Sequence, residues 1–320
     1  MAVVRPRNLV VVPLVALGLL AAACGGSSGA SAATSSSGRA NWPKTLVLGE
    51  VGEDNATSLT QSFAPVAALI KKQLGVTIQS TAGTSYASMI EAQKAGKAQI
   101  IGYGPFSYVI ALNQGLKIQD IGIVLAAPNT DGGYWSEAVV DPQHTPSITS
   151  IKDFAGKKVC FSDPSSTSGY LYPSYGLLTN GINPSTGVTA VFAGSDSTTA
   201  LDTYQGSCQV GFTNTFSLPQ VYSANHVPQT DLKIVWKGPE IPGNPMAISD
   251  SVPASLRNAL EKLLVNEANS SYLTAHGYCK SVSACTALTG GWGYGPPSDA
   301  NFSQITKICQ ITNSPSCKIS

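Results

Sequence analysis

Consecutive hydroxyl side chains between residues 162 and 169 (SDPSSTSG) carry the clearest chemical signal in this chain of 320 residues. The run follows a strand-like segment, residues 157–161, and precedes a helix-like one. One Ser or Thr is enough to cap a helix, so the hydroxyls of Ser166, Thr167 and Ser168 exceed that need. With the unpaired N–H groups and the dipole of a first helical turn, they would bind a small anion without any cation.

Strand-like and helix-like segments alternate on both sides of this run. Apolar residues at helical spacing predict a helix at residues 62–74, which Gly75 would end. The alternation predicts βαβ units at residues 45–125 and again at residues 157–265. Two such units predict an α/β protein of two lobes, whose ligand binds between them at the carboxyl ends of the strands. The segments that follow the predicted strands are residues 50–55, 81–86, 102–105, 162–168, 193–198 and 213–216.

These strand-end segments contain no Lys, Arg or His, and they are rich in Ser, Thr, Tyr, Gly and Asn. The whole chain is only 12% charged, against roughly 25% in ordinary soluble domains. Its formal net charge of +1 argues against a nucleic-acid partner, which needs a basic face. A hydrophobic content of 43% excludes a disordered chain.

The amino terminus predicts export. Two arginines precede an uncharged run at residues 9–23, which is too short for a membrane span and typical of a signal peptide covering residues 1–23. Three alanines before Cys24 resemble a bacterial lipobox, so we expect Cys24 to be lipidated on the outer face of the cytoplasmic membrane. The alternative is an ordinary cleaved signal that leaves a free Cys. Residues 24–43, rich in Gly, Ser and Ala, would form a flexible tether.

Six further cysteines, an even number in an exported chain, predict disulfide bonds. The candidates are Cys160, Cys208, Cys279, Cys285, Cys309 and Cys317. Two local pairs, Cys279–Cys285 and Cys309–Cys317, would close short loops, and Cys160 would pair with Cys208 if their strands are neighbours. The alternative for this last pair is two reduced core residues. No C-x-x-C motif is present, so a zinc site or thioredoxin-like motif is unsupported.

Several motifs together resemble one family. The run at residues 163–173 (DPSSTSGYLYP), followed by Ala193-Gly194-Ser195, resembles the substrate-binding proteins of phosphonate/phosphite ABC importers. Further segments similar to this family are Thr84-Ser85-Tyr86, residues 103–108 (YGPFSY), Gly133-Tyr134, residues 152–157 (KDFAGK) and Ile241-Pro242.

This resemblance implies the type II periplasmic-binding-protein fold. Each lobe would be a mostly parallel sheet flanked by helices, with the ligand cleft between the lobes. The chain would cross between them near residues 138–146 and 236–245. The expected units are lobe 1 at residues 44–140 plus 243–290, lobe 2 at residues 141–242, and a disulfide-pinned carboxyl-terminal extension at residues 291–320.

The resemblance also implies the function. A monomer would capture a phosphorus oxyanion (phosphonate, phosphite or phosphate) and deliver it to ABC permease and ATPase subunits, without enzymatic activity, cofactor or metal. Tyr86 and Tyr134 would donate hydrogen bonds to the ligand or wall it in. The candidate ligand-binding residues are Ser166, Thr167, Ser168, Tyr86, Tyr134, Tyr103, Gly104, Asp196 and Asn214.

The chain departs from the family at Asp196, where the family often carries His. A carboxylate repels a dianion, but it can accept the proton of a singly protonated oxyanion. Alternatively, Asp196 caps a helix starting at Ser197, or it is the counter-ion of an amine-containing solute bound by the same fold. Asn214 and Asn244 stand where binders of aminoalkyl phosphonates carry carboxylates, which argues against such ligands.

An exported hydrolase is the alternative from another class of protein. It would need a nucleophile with a base, yet His144, His226 and His276 all lie outside the strand-end segments. Gly-x-Ser-x-Gly occurs in none of the strand-end segments, and Ser-x-x-Lys does not occur in the chain. The acidic group of Glu50, Glu53 and Asp54 has no His beside it, so a metal site is unsupported.

Overall fold

A computed structural model describes residues 39–51, 56–130, 133–297 and 302–317. The predicted signal peptide, Cys24 and most of the predicted tether lie outside these residues, as do Glu53 and Asp54. Within the described ranges, no helix combines the length and apolar character that crossing a membrane requires.

Strands and helices alternate along both halves of the chain. The first half contains β1 (Thr45–Val51), α1 (Ala56–Leu74), β2 (Thr77–Gly83), α2 (Tyr86–Lys94), β3 (Ile100–Gly102), α3 (Pro105–Asn113), β4 (Ile118–Leu125) and β5 (Tyr134–Val140). There follow a 3-10 turn (Ile151–Phe154), β6 (Lys158–Phe161), a π-helical turn (Thr167–Leu171), α4 (Tyr172–Thr179), β7 (Thr189–Phe192), α5 (Asp196–Tyr204), β8 (Val210–Asn214) and α6 (Ser217–Ala224). The last part contains β9 (Lys233–Ile241), β10 (Pro245–Ser249), α7 (Ala254–Glu267), α8 (Ser270–Ala275), α9 (Val282–Thr289), β11 (Gly293–Gly295), α10 (Ser303–Thr312) and a 3-10 turn (Pro315–Cys317).

The strands form two sheets, one in each lobe. The sheet of the first lobe has the order β11-β4-β10-β3-β1-β2, and that of the second lobe has the order β7-β6-β8-β5-β9. The pairs β1–β2, β1–β3, β6–β7 and β6–β8 are parallel, as the βαβ pattern predicts. Pairs that include β5, β10 or β11 are antiparallel. The two-lobed α/β fold is therefore confirmed.

Helix α1 is longer than the sequence predicted. It begins at Ala56 rather than at residue 62, because Leu59 extends the buried face by one turn ahead of Phe63 and Val66. It ends where predicted: Gly75 follows with a φ of 76°, a left-handed conformation that glycine adopts without strain. The amino-terminal end of α1 lies beside the interlobe cavity described below.

The lobe boundary lies earlier in the chain than expected. We expected lobe 1 to run to residue 140, but β5 pairs with β8 and β9 in the second sheet, with Ala138 opposite Phe212. The chain thus crosses between β4 and β5 and again between β9 and β10. The carboxyl-terminal extension predicted at residues 291–320 is not a single separate unit. Its strand β11 pairs with β4 at the edge of the first sheet.

Helix α10 packs against both lobes. It contacts α3 of the first lobe, and α4 and the π-helical turn of the second. One apolar cluster accordingly joins the two lobes. Its members include Tyr103, Phe106 and Tyr108 of the first lobe, Leu171 and Tyr172 of the second, and Phe302, Ile305 and Ile308 at the carboxyl-terminal end.

All three predicted cysteine pairs lie at disulfide distance. The Cα atoms are 5.9 Å apart for Cys160–Cys208, 5.4 Å for Cys279–Cys285 and 5.5 Å for Cys309–Cys317. The first pair lies at neighbouring strands, since β6 pairs with β8. That these cysteines are oxidised in the mature protein stays a prediction.

Candidate functional site

A cavity of about 290 Å³ lies between the lobes, where strand ends from both sheets meet. The first lobe contributes Glu50 at the end of β1 and Tyr86 at the start of α2. The second lobe contributes Ser162, Ser166 and the residues that begin α5. Five of the six strand-end segments selected from sequence supply lining residues. The sixth, residues 102–105, supplies none.

The three consecutive hydroxyls of the π-helical turn have three different environments. Ser166 lines the cavity; its Oγ accepts the N–H of Gly169 at 3.0 Å, which leaves its proton free to be donated. Thr167 Oγ1 accepts the N–H of Phe106 at 2.9 Å and thereby joins the lobes. Ser168 Oγ donates to Asp196 Oδ2 at 3.0 Å. Only Ser166 of the three hydroxyls faces the cavity.

Asp196 is a half-buried residue whose carboxylate is held from one side. Its Oδ2 accepts hydrogen bonds from Ser168 and from Asn214 Nδ2, the latter at 2.7 Å. Its Oδ1 is buried beside Ser162 Oγ and makes no hydrogen bond of good geometry among the described residues. Burial raises the pKa of Asp196 to about 6, against the opposing effect of hydrogen bonding with Ser168, Asn214 and Ser162. The side chain is therefore poised to bind a proton near neutral pH.

Asp196 does not cap the following helix, so that alternative is wrong. Asp196 is the first residue of α5, and the cap is Ser195, whose Oγ accepts the N–H of Thr198 at 3.0 Å. The carboxylate points instead toward the π-helical turn. Asn214 holds it there: the Oδ1 of Asn214 accepts the N–H groups of Phe216 and Ser217, which leaves its Nδ2 directed at Asp196.

Two further carboxylates line the cavity. Asp163, only 6% exposed, accepts the N–H of Ser165 at 2.7 Å, and burial raises its pKa. Glu50 lines the first-lobe side. None of the described lining residues is Lys, Arg or His. The cavity is thus acidic, whereas the sequence analysis had assigned a role only to Asp196. Asp163 stands two residues after the end of β6, in a strand-end segment, and this position is the signal that could have found it.

The two tyrosines predicted to hold the ligand lie at the junction of the lobes. Tyr86 lines the cavity, and burial raises its pKa, which keeps its hydroxyl a neutral donor at physiological pH. Tyr134 is buried against Phe216, with ring centroids 5.5 Å apart, and does not line the cavity. Burial raises the pKa of Tyr134 as well, opposed by hydrogen bonding with Ser168 and Thr167.

The structure does not support the prediction that Tyr103 contacts the ligand. Its hydroxyl donates to Gln93 Oε1 at 2.9 Å inside the first lobe. Gly104, next along the chain, lies at the contact between lobes, where a Cβ atom would come within 2.9 Å of Thr167 Oγ1. The absence of a side chain at Gly104 therefore lets the lobes approach.

Two polar groups of the cavity wall make no hydrogen bond of good geometry within the described part of the chain, and neither belongs to the candidate ligand-binding residues. Oγ of Ser162 and Oδ1 of Asn244 are buried without a hydrogen bond of good geometry among the described residues. Unpaired buried polar atoms are unfavourable, so both are positioned to bind a polar ligand.

None of the three histidines lines this cavity. Nδ1 of His144 lies 2.6 Å from Oδ2 of Asp141, and the ring of His276 stacks on Tyr272. In the part of the chain that the structure describes, no group of His, Cys, Asp and Glu is arranged to hold a metal ion. The site therefore offers binding groups and no nucleophile–base pair.

Two lobes joined by crossing segments, with a polar cavity between them, define a solute-binding protein of the type II periplasmic class. Solved structures share this fold. A binding protein component of an ABC phosphonate transporter from Pseudomonas aeruginosa has a TM-score of 0.73 and 20% identity, covering 85% of this chain and 87% of its own. PhnD1 from Prochlorococcus marinus, in complex with methylphosphonate, has a TM-score of 0.68 and 20% identity, covering 85% of this chain and 99% of its own.

The family model for periplasmic substrate-binding proteins of ABC phosphonate transporters matches residues 49–285, and the chain belongs to this family. The phosphate-import protein PhnD of Mycolicibacterium smegmatis is 29% identical over 323 residues, covering 98% of this chain and 99% of that protein. The phosphonates-binding periplasmic protein of Escherichia coli is 27% identical over 228 residues, covering 70% of this chain and 66% of that protein.

Family membership identifies the chain as the extracytoplasmic binding component of an ABC importer, with a small ligand and with permease and ATPase partners. The prediction of a binding protein rather than an enzyme is confirmed, and the hydrolase alternative is wrong.

Proposed function

We propose that this protein captures a singly protonated phosphorus oxyanion, whether a phosphonate, phosphite or phosphate, and releases it to the permease. The observation that carries the proposal is the buried Oδ1 of Asp196, which makes no hydrogen bond of good geometry to a described residue, in a cavity whose described lining has no cation. Three carboxylates would repel a dianion. A ligand that keeps one O–H can donate it to Asp196 in a charge-assisted hydrogen bond.

Uncharged donors supply the rest of the binding energy. Ser166, which lines the cavity, has a free hydroxyl proton. Tyr86 adds a neutral hydroxyl from the other lobe. Each hydrogen bond to a charged ligand contributes about 1.5–3 kcal/mol. Because the donors come from both lobes, ligand binding favours the closed arrangement, which Thr167 and Phe106 help to hold.

This arrangement fixes the number of protons in the complex. One proton lies between Asp196 and the oxyanion, whichever of them held it before binding. Above pH 6 the empty site has lost that proton, and the ligand loses its own above its second pKa, about 6 for a phosphate monoester. At pH values above both, affinity should fall about tenfold per pH unit, because the proton must come from solvent.

Isothermal titration calorimetry with phosphate, phosphite and methylphosphonate from pH 5.5 to 8.5 tests the proposal. We expect affinity to fall with pH for the native protein and to change much less with pH for Asp196→Asn. Asp202→Asn, on the same helix but outside the cavity lining, is the matched control and should keep the native profile. Equal affinities and equal pH profiles for the native protein and Asp196→Asn would refute the role of Asp196.

A second candidate ligand class is favoured by the three carboxylates themselves. Glu50, Asp163 and Asp196 could hold the ammonium group of an amine-containing solute, with Asp196 as counter-ion. Thermal-shift measurements separate the two classes. Stabilisation by cationic amines, with none by phosphorus oxyanions, would replace the oxyanion proposal.

The cellular location completes the proposal. The lipobox-like sequence before Cys24 supports a lipoprotein anchored at the outer face of the cytoplasmic membrane, and we expect the protein to be a monomer. Cys24→Ala should release the protein from washed membranes, and light scattering should give the mass of one chain. Retention of the variant on membranes would exclude the lipid anchor.

A further inference from the structure

We propose that closing of the cleft completes the amino-terminal ends of two helices of the first lobe, so that closure is favourable even before a solute binds. The acceptors are two side chains of the second lobe, Asp163 and Thr167, called here the closing residues. Asp163 serves helix α2 and Thr167 serves helix α3. This inference goes beyond solute capture, because it does not depend on which solute the protein carries.

Helix α3 has no side-chain cap from its own lobe. Gly104 precedes it without a side chain, and Pro105, its first residue, has no N–H group. The N–H of Phe106, the second residue, is therefore the first that needs an acceptor. A capping side chain normally binds the N–H of the second or third helical residue. Thr167 Oγ1 accepts the N–H of Phe106 at 2.9 Å, so a hydroxyl of the second lobe takes the place of the cap.

Helix α2 is capped only in part by its own lobe. Ser85 Oγ accepts the N–H of Ser88, which leaves the N–H of Tyr86, the first helical residue, without an acceptor inside α2. Asp163 supplies this acceptor. Burial raises the pKa of Asp163, and hydrogen bonding with the backbone N–H groups of Ser165 and Tyr86 opposes the rise. A carboxylate at this end of a helix also interacts favourably with the helix dipole.

The two caps lie side by side. A Cβ atom at Gly104 would come within 2.9 Å of Thr167 Oγ1 and 3.6 Å of the Tyr86 hydroxyl. Both closing residues belong to the run at residues 162–169, which has more hydroxyls than one helix cap needs. Ser166 caps the π-helical turn itself, so Thr167 is left to cap a helix of the opposite lobe. Opening of the cleft would therefore separate both caps at once.

Two such caps give the closed arrangement an advantage that needs no solute. Removing a capping side chain typically shifts a folding equilibrium about fivefold. The two closing residues together would then favour closure roughly 25-fold. Since both caps form only where the lobes meet, loss of one should make the cleft open about fivefold more often. The N–H at the other cap should then exchange with water faster by about the same factor.

Amide hydrogen exchange of the protein without solute, followed by NMR, tests this coupling. Thr167→Val removes the acceptor at α3 and should speed exchange of the Tyr86 N–H at α2 about fivefold. Asp163→Asn should speed exchange of the Phe106 N–H at α3 in the same way. Asn offers one acceptor oxygen in place of two and carries no charge, so this variant weakens the cap at α2.

Two variants serve as controls. Thr167→Ser keeps the hydroxyl, so exchange at Tyr86 should remain native. Asp153→Asn weakens a cap that lies wholly within the second lobe, where Asp153 accepts the N–H of Ser150 at 3.0 Å. This variant should leave exchange at Phe106 unchanged. Circular dichroism checks that each variant is folded, and if Thr167→Val is not, the exchange rates of Asp163→Asn decide the question.

Two results would overturn the proposal. In the first, Asp163→Asn leaves exchange at Phe106 unchanged and a folded Thr167→Val leaves exchange at Tyr86 unchanged, so that the two caps do not form together. In the second, both N–H groups of the native protein exchange as fast as in an unfolded chain, so that the cleft stands open without solute. Because no solute is added, either result leaves the proposed oxyanion capture standing.

Discussion

Replacing Asp196 by Asn should stabilise the empty protein at neutral pH. Burial raises the pKa of this carboxyl from 3.8 to about 6, which means that the folded state holds the proton more tightly than the unfolded chain does. At about 1.4 kcal/mol per pH unit, ionised Asp196 lowers the free energy of unfolding by about 3 kcal/mol. The penalty develops as pH rises from about 4 to about 6 and stays constant above.

The variant keeps the local structure, because the side-chain oxygen of Asn can accept the hydrogen bonds that Ser168 and Asn214 donate. Asn does not ionise, so Asp196→Asn should exceed the native protein in unfolding free energy by about 3 kcal/mol at pH 7.5. At pH 4 the difference should shrink to roughly 0.5 kcal/mol.

Urea unfolding of ligand-free protein, followed by circular dichroism at pH 4, 5, 6 and 7.5, measures this difference. Asp202→Asn, on the same helix, controls for the loss of a half-buried carboxylate outside the cavity lining. Equal unfolding free energies for Asp196→Asn and the native protein at pH 7.5, or a difference that does not vary with pH, would refute the reasoning. We expect the variant to be more stable and to bind ligand less well, because stability and function oppose each other at many functional sites.

Three other outcomes follow from the site and the core. Thr167→Val removes the acceptor of the Phe106 N–H, so ligand affinity measured by calorimetry should fall about tenfold, while Thr167→Ser should bind normally. Replacing Cys160 and Cys208 together by Ala should lower the free energy of unfolding in urea by about 4 kcal/mol, for a loop closed over 48 residues, and an unchanged value would show that the pair is not bonded. Gly169→Ala places a Cβ against the Ser162 hydroxyl, so it should abolish binding in calorimetry with the fold retained by circular dichroism, and normal binding would contradict the close packing there.

The elements were predictable from sequence because their signals are local. The strand predicted at residues 157–161 is β6 (Lys158–Phe161), and the helix predicted to end at Gly75 ends there. The sequence predicts less well which sheet a strand joins. β5 follows the first βαβ series along the chain, yet its partners β8 and β9 lie more than 70 residues further on. Local periodicity carries no information on such a choice of partner.

The site was predictable in place and only partly in detail. The strand-end rule brought Ser166, Asp196 and Asn214 to one cavity. It could not tell which hydroxyl faces the ligand, because successive residues of a helical turn point about 100° apart and cannot all face one cavity. Tyr103 was predicted to contact the ligand, but a tertiary contact prevents this. Its hydroxyl donates a hydrogen bond to Gln93 of the neighbouring helix α2.

Helix α10 has a consequence for transport kinetics. It lies against α3 on one side and against α4 on the other, with Phe302 packed on Tyr108 and Ser316 donating to the carbonyl of Pro164 at 3.4 Å. A hinge with only two crossings could swing freely. Here we expect any widening of the cleft to disturb the apolar contacts of α10 with one of the lobes, and these contacts to slow the release of solute to the permease.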